Sequence, residues 1–408
     1  MQEENKNYLA GFMALGILTG TTNGIAKVAM PLVAVSLHAE QWQVGVVGGI
    51  QFLGMLLLSL PLGAVIDRYG GRTPFRFGAI CGSIVFLIVL SRATLPWHLI
   101  FGVALTGLLA PFRMVPTNTE FLHLLPQMGT TKAGWQRAAH TLGMFFIGPT
   151  LGAFLLGWIG YPDAFRLVAA GMLVTLLIGN RVLSESSSGR GSEATPFLER
   201  LRSQFEIVAK RAELRQSMLI EFCGQAAMSY FNVFIILVAI REFHLSTQVA
   251  AGLITMQGAV FVLSLLLAGA WLTRWQESSR YALAFALLLA TEVLFSFPIA
   301  AASLWVGAML LGMGLGIQHV TSVNRFAALT QELGRGRVGG MFSLAGPTGG
   351  LTGAMLGGLL SQYFGMFAGF RVLILVYLAH LLWLAWRRWL EYRAVAGIEL
   401  ALPAEKNT

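Results

Sequence analysis

Charge is the first thing this sequence is short of. Asp, Glu, Lys and Arg together make up 12% of its 408 residues, against 56% hydrophobic residues. Soluble proteins carry about 25% charged residues, and a chain this apolar cannot clothe its surface with polar groups in water. A soluble multidomain protein is excluded on that ground. In a bilayer the requirement inverts, because apolar side chains face lipid and each helix satisfies its own backbone groups. Cysteine is equally scarce: Cys81 and Cys223, the only two, sit in separate apolar runs, which leaves no disulfide framework and no thiolate metal spacing. None of the five lysines follows a glycine, so a phosphate-binding loop for nucleotide hydrolysis is missing. The seven histidines include no pair four residues apart, which removes the helical zinc pattern. Gly312-Met313-Gly314-Leu315-Gly316 has no strand before it and makes a poor dinucleotide site. Neither an enzyme nor a cofactor or metal is expected.

What the sequence has is long apolar runs. A run of about 20 residues crosses the hydrocarbon core as a helix. Such runs place spans near residues 9–37, 44–66, 75–92, 97–121, 138–159, 164–182, 216–241, 247–273, 281–299, 302–324, 338–362 and 369–386. The fold class is therefore all-α: a polytopic membrane protein of twelve helices in two six-helix bundles. The bundles occupy residues 1–182 and 216–390, joined by a linker at 183–215 and followed by a tail at 391–408. The start carries Glu3, Glu4 and Lys6 with no small-residue cleavage pattern after it, so the first run is expected to be a retained helix.

Basic residues sort by face. With alternating spans, one face collects Lys6, Arg68, Arg72, Arg76, Lys132, Arg137, the series from Arg181 to Arg215, Arg274, Arg280, Arg325, Arg335, Arg337, Arg387, Arg388, Arg393 and Lys406. The other collects only Arg92, Arg166, Arg241 and Arg371. Lys and Arg are retained in the cytoplasm during insertion, so both termini are expected inside a cell inner (plasma) membrane. The net charge of +9 is then a topology signal, and no nucleic-acid partner is needed to explain it. Within the linker, Phe197, Leu198, Leu201, Phe205 and Val208 fall on one helical face. That pattern suits either a short helix on the membrane surface or a plain connection.

The two halves repeat. At an offset of 206, Gly63-Ala64-Val65-Ile66-Asp67-Arg68-Tyr69 aligns with Gly269-Ala270-Trp271-Leu272-Thr273-Arg274-Trp275, Gln51 with Gln257 and His38 with His244. Gly148-Pro149-Thr150-Leu151-Gly152 matches Gly346-Pro347-Thr348-Gly349-Gly350. Two six-helix halves in the same orientation suit a transporter that rocks about a central site.

At these residues the chain resembles the major facilitator superfamily over essentially its whole length. Gly63, Asp67, Arg68, Gly70 and Arg72 are similar to that family's signature after the second span. The resemblance implies that the cluster latches the outward-facing state, with Gly63 permitting close helix contact and Arg72 pairing across the face. Gly148, Pro149 and Gly152 in the fifth span resemble the Gly-Pro motif of the family's antiporters, which tilts direction toward export. Gly346 and Pro347 repeat it in the eleventh. Val103 stands where proton-driven members carry an arginine ahead of the glycine matched by Gly107, so no proton-relay role passes to Arg113.

Ionisable groups inside spans are costly and default to functional hypotheses. Lys27, beyond Asn23 in the first span, is expected either to bind an anionic group of the substrate or to snorkel to the interface. Arg113, in the fourth span, either meets substrate or pairs with Glu120, which is itself a coupling candidate. Glu221 and Gln225, one turn apart in the seventh span, are the acidic and amide candidates, Glu221 being either a coupling carboxylate or a solvated one. Gln51, Gln257, Gln318 and His319 add hydrogen-bonding capacity. Glu292, mid-way along the ninth span, receives no role. The reading is a secondary active transporter exchanging a small anionic or amphiphilic molecule for protons, probing outward as efflux. The alternatives are an importer of a metabolite or metal chelate such as a siderophore, and a non-transporting sensor on the same fold. The expected partners are a small molecule, a proton or other ion gradient and the bilayer, with the protein a monomer.

Overall fold

The computed structural model describes residues 2–128, 135–183, 206, 208–271, 274–333 and 335–400, and they are helical with no strand among them. The helices are α1 (Gln2–Ser36), α2 (Gln41–Ile50), α3 (Leu53–Tyr69), α4 (Arg72–Ile84), α5 (Pro96–Met128), α6 (Trp135–Leu142), α7 (Gly148–Val182), α8 (Ala212–Arg241), α9 (Thr247–Trp271), α10 (Glu277–Ser296), α11 (Ala301–Leu333), α12 (Arg335–Phe364) and α13 (Ala368–Leu400). The amphipathic linker segment lies almost wholly outside the described residues.

Ten stretches among the described residues are long and apolar enough to cross a membrane. One of them, Ala138–Val182, is 45 residues long. It breaks at Gly160, whose φ of 75° and ψ of 172° are not helical. A side chain with a Cβ is strained at that φ, and Pro162 just beyond restarts a helix with its fixed φ. The stretch is thus two crossings, the fifth and sixth spans. With α12, which has 30 residues and packs on α8 and α2, the arrangement is consistent with twelve spans. The second span consists of α2 and α3, which meet at Gln51 and Phe52. The third continues from α4 through a π turn at Val85–Val89 and a short 3-10 turn at Leu90–Arg92.

The repeat is present in the backbone. His38 and His244, paired in the sequence, both adopt left-handed φ, 58° and 52°. Each closes a helix end by the same device: the next N–H turns back to a carbonyl of the last turn, Ala39 to Ala34 and Leu245 to Ala239. This is how a helix satisfies its orphan carbonyls when the chain must reverse. The Gly-Pro-Thr segments also agree. Thr150 Oγ1 donates to the Phe146 carbonyl at 2.8 Å and Thr348 Oγ1 to the Leu344 carbonyl at 2.7 Å.

Glycine sets the closest helix contacts. A Cβ on Gly148 would lie 2.6 Å from Gly24 Cα, and one on Gly152 would lie 3.1 Å from Ile25 Cα, so the fifth span lies backbone to backbone on α1. Gly349 and Gly353 do the same for α12 against Phe222 and Ala226 of α8. Apolar packing offers no hydrophobic gain against lipid, so such close approach is what holds spans together. Between the halves, Gly45 of α2 faces Gly358 and Ala354 of α12, and Gly258 of α9 faces Phe145 of the fifth span. Two polar contacts lie in the same seams: Gln41 N–H to Gln362 Oε1 at 3.1 Å, and Thr150 Oγ1 with Thr255 Oγ1 at 3.4 Å.

Candidate functional site

The two seams between the halves enclose a line of side chains running from one half into the other. It starts at Lys27 on α1, whose Nζ lies 4.0 Å from the ring centroid of Phe145. Such a cation–π contact contributes about 0.5–2 kcal/mol, more when dry. Phe145 belongs to a π turn at Gly143–Ile147. The cause is local: Pro149 has no N–H to give the Phe145 carbonyl, so the helix widens in the turn ahead of it. The Phe145 ring sits 5.9 Å from that of Phe261 on α9, and Phe261 sits 6.2 Å from His319 on α11. His319 Nδ1 is 3.6 Å from Glu221 Oε1 on α8. Five helices from both halves therefore contribute to one continuous row.

Its far end is a polar cluster. Gln225 Nε2 donates weakly to Glu221 Oε1 at 3.5 Å, and Gln318 Nε2 donates to the Ile220 carbonyl at 2.8 Å. Gln318 Oε1 is buried without a hydrogen-bond partner. Gly346 of the eleventh span lies beside Gln225 and Glu221, so that Gly-Pro segment borders the cluster directly. Glu221, Gln225, Gln318, His319 and Phe261 line a cavity of about 20 Å³, room for about one water.

The other expected residues fall in several places. Glu221 is 5% exposed, so the reading of it as a solvated carboxylate does not hold: α8 is covered by α11 and α12 at that level. Lys27 lies under an aromatic ring between the halves and has no carboxylate within ion-pair distance among the described residues. Asn23 is half-buried one turn earlier on α1. Gln257, one turn before Phe261, is fully buried, and both its Nε2 and Oε1 lack partners. Gln51 instead caps its own helix, donating to the Gly48 carbonyl at 2.6 Å. Its backbone is where Gly107 of α5 makes a close approach, a Cβ there falling 2.7 Å from Gln51 Cα.

Arg113 is 5% exposed, with Nε and Nη2 buried and unpartnered. It does not pair with Glu120. Its stem packs by Gly78 of α4, while Glu120 lies beside Gly71 in the turn after α3. No described contact joins Arg113 to the Lys27–Glu221 row. A buried guanidinium keeps its charge and its donors.

In the turn after α3, Gly70 takes φ 77° and returns its N–H to Ile66 at 2.8 Å. Arg68 lies 5.3 Å over the Tyr69 ring. Arg72 Nε donates to the Leu183 carbonyl at 2.7 Å, tying the turn to the end of α7. The Asp67 side chain lies outside the described residues. For Gly63, no atom of the described residues stands within 4 Å of where its Cβ would be. Phe145 and Phe261 were the members the sequence did not single out. The available signal was position, Phe145 four residues before Pro149 and Phe261 four after Gln257.

A family model described as Major Facilitator Superfamily matches residues 12–291 and again 217–401. A D-xylose transporter of Levilactobacillus brevis is 25% identical over 223 residues, 52% of this chain and 47% of that protein. The chain thus spans about half the length of this curated relative. Among solved structures, the nucleoside transporter NupG superposes with a TM-score of 0.73 at 14% identity, covering 93% of this chain and 98% of that one. The human organic anion transporter MFSD10 (TETRAN) superposes with a TM-score of 0.66 at 18% identity, covering 93% and 99%.

Proposed function

The chain belongs to the Major Facilitator Superfamily, and on that premise we propose that it is a secondary active transporter that moves a small anionic or amphiphilic molecule by alternating access, in exchange for protons and outward across the inner membrane. The observation that carries this reading is the row from Lys27 to Glu221 between the halves. A site that belongs to both halves is remade each time they rock. Lys27 supplies a cation with no carboxylate on it among the described residues. Phe145 and Phe261 supply faces for an apolar or planar body. Glu221, with His319 beside it, supplies the carboxylate that would carry the coupled proton.

Substrate polarity follows from that arrangement. An anionic group replaces the missing counter-ion of Lys27, and a charge-assisted contact of this kind contributes about 1.5–3 kcal/mol. The antiporter-like Gly148-Pro149 pair supports export.

A second reading has its own support. Gln257 and Gln318 present buried amide atoms without partners, which suits a neutral hydroxyl-rich molecule, and the L. brevis relative is named for such a sugar. Everted vesicles with an acidified lumen separate the two. Addition of organic anions should dissipate the gradient in wild type and not in Lys27→Ala, with pentoses silent. Dissipation or counterflow by pentoses alone, insensitive to Lys27→Ala, would favour the sugar reading. Silence of every compound in both assays would leave a non-transporting sensor.

A further inference from the structure

A larger cavity lies elsewhere, inside the second half at the end that carries the basic loops. It measures about 450 Å³ and is lined by Glu213, Glu277, Arg280, Arg325 and Arg387, with Thr321 and Asn324 at its wall. Three arginines face two glutamates there. One pair is already made: Arg325 Nη1 lies 3.1 Å from Glu277 Oε1, and Arg325 Nη2 donates to Gln216 Oε1 at 3.2 Å. Arg280 is different, because its Nε is buried with no hydrogen-bond partner. Arg387 has only a long 3.9 Å approach to Glu391, half exposed, and lies 5.3 Å over the Trp383 ring. The first turn of α10, which contributes Glu277 and Arg280, has no side-chain cap, and the Ser279 and Arg280 N–H groups return to the Gln276 carbonyl at 3.0 and 3.1 Å.

Arg280, with no ion pair among the described residues, and Arg387, with only a long one, line a roomy polar cavity, and guanidinium groups so placed suit an oxyanion. We propose that this cavity binds a phosphate-type oxyanion through Arg280 and Arg387, either free phosphate or the headgroup of an anionic phospholipid. Arg325 and Glu277 form its fixed wall. The volume suits a headgroup as well as a free ion, since ligand cavities begin at about 300 Å³. The setting also suits lipid: Trp386 and Trp389 on α13 are exposed, and Arg393 lies 4.1 Å over Trp389. Tryptophan with arginine at a span's end is the composition of the membrane–water interface. Arg388 fastens α13 to the first turn of α10 through Ser278 and Ser279 at 3.1 and 2.7 Å. An occupant would therefore brace the ninth and twelfth spans together. The site lies within one half and shares no residue with the Lys27–Glu221 row, so it stands or falls independently of the transport reading.

The test is thermal unfolding of the full-length protein in a neutral detergent. Sodium phosphate is compared with sodium chloride at matched ionic strength, and phosphatidylglycerol with phosphatidylcholine. Wild type should unfold about 2–4 °C higher with the favoured anion. Arg280→Gln and Arg387→Gln should lose that rise, while Arg166→Gln, remote and exposed, should keep it. A response to phosphatidylglycerol alone assigns the headgroup, and a response to phosphate assigns a soluble anion. If Arg280→Gln does not fold, the exposed Arg387 carries the comparison. No rise from either anion, or the same rise in the Arg280→Gln and Arg387→Gln proteins, would overturn the proposal.

Discussion

Lys27 stacks its ammonium on Phe145, and the proposed polarity of the substrate rests on it. Its removal should weaken the affinity for an anionic substrate by about 10–100-fold, the equivalent of one charge-assisted contact. Thermal stability should fall by no more than the cation–π contact, about 0.5–2 kcal/mol, because no described carboxylate is left unpaired. Substrate-protection and unfolding measurements on Lys27→Ala check both halves of that statement. Tyr230 makes the opposite case, a purely structural residue. Its hydroxyl lies 2.9 Å from Ser361 Oγ, donates to the Met366 carbonyl at 2.8 Å and accepts from the Gly369 N–H at 3.2 Å. Tyr230→Phe should cost about 1–3 kcal/mol, visible as a lowered unfolding temperature with the transport site intact. The sequence disclosed Lys27 readily, since a charge inside an apolar run stands out. It could not disclose Tyr230 or Phe145, because one aromatic in a membrane span looks like the next until the packing partner is known.

At the scale of the element, glycine matters by what stands opposite it. Gly148 lies against Gly24 across the first and fifth spans, whereas Gly63 has no neighbour within 4 Å of its Cβ position among the described residues. Gly148→Val should therefore separate two backbones and destabilise by about 1–3 kcal/mol. Gly63→Ala should be neutral or stabilise by up to about 1 kcal/mol through helix propensity. Paired unfolding measurements on the two variants would check the contrast. Here the sequence pattern was informative about position but not about cause. The Gly-Pro motif resembled an antiporter signature, and its physical work is twofold: a seam with α1 and a π turn that places Phe145. The signature around Gly63 suggested a close contact, and none is made with the described residues. Motif residues name a place in the chain, and only the neighbouring helix says which force acts there.

At the scale of the molecule, the long apolar runs and the two-fold repeat were legible from the start, and His38 with His244 carry that repeat into matching backbone turns. The row across the halves was not legible, because it joins side chains from five helices whose order in space no single sequence states. Transport through that row would require the halves to move against each other around it. Pulsed electron spin resonance in proteoliposomes reads this without knowledge of the substrate. In a background with Cys81 and Cys223 replaced, spin labels at Glu40 and Tyr363 span one face, and labels at the repeat-related Tyr69 and Trp275 span the other. The prediction is two distance populations at each face that shift in opposite directions when a proton gradient is imposed. A single distance at each face, unchanged by the gradient and by the anion panel, would contradict it.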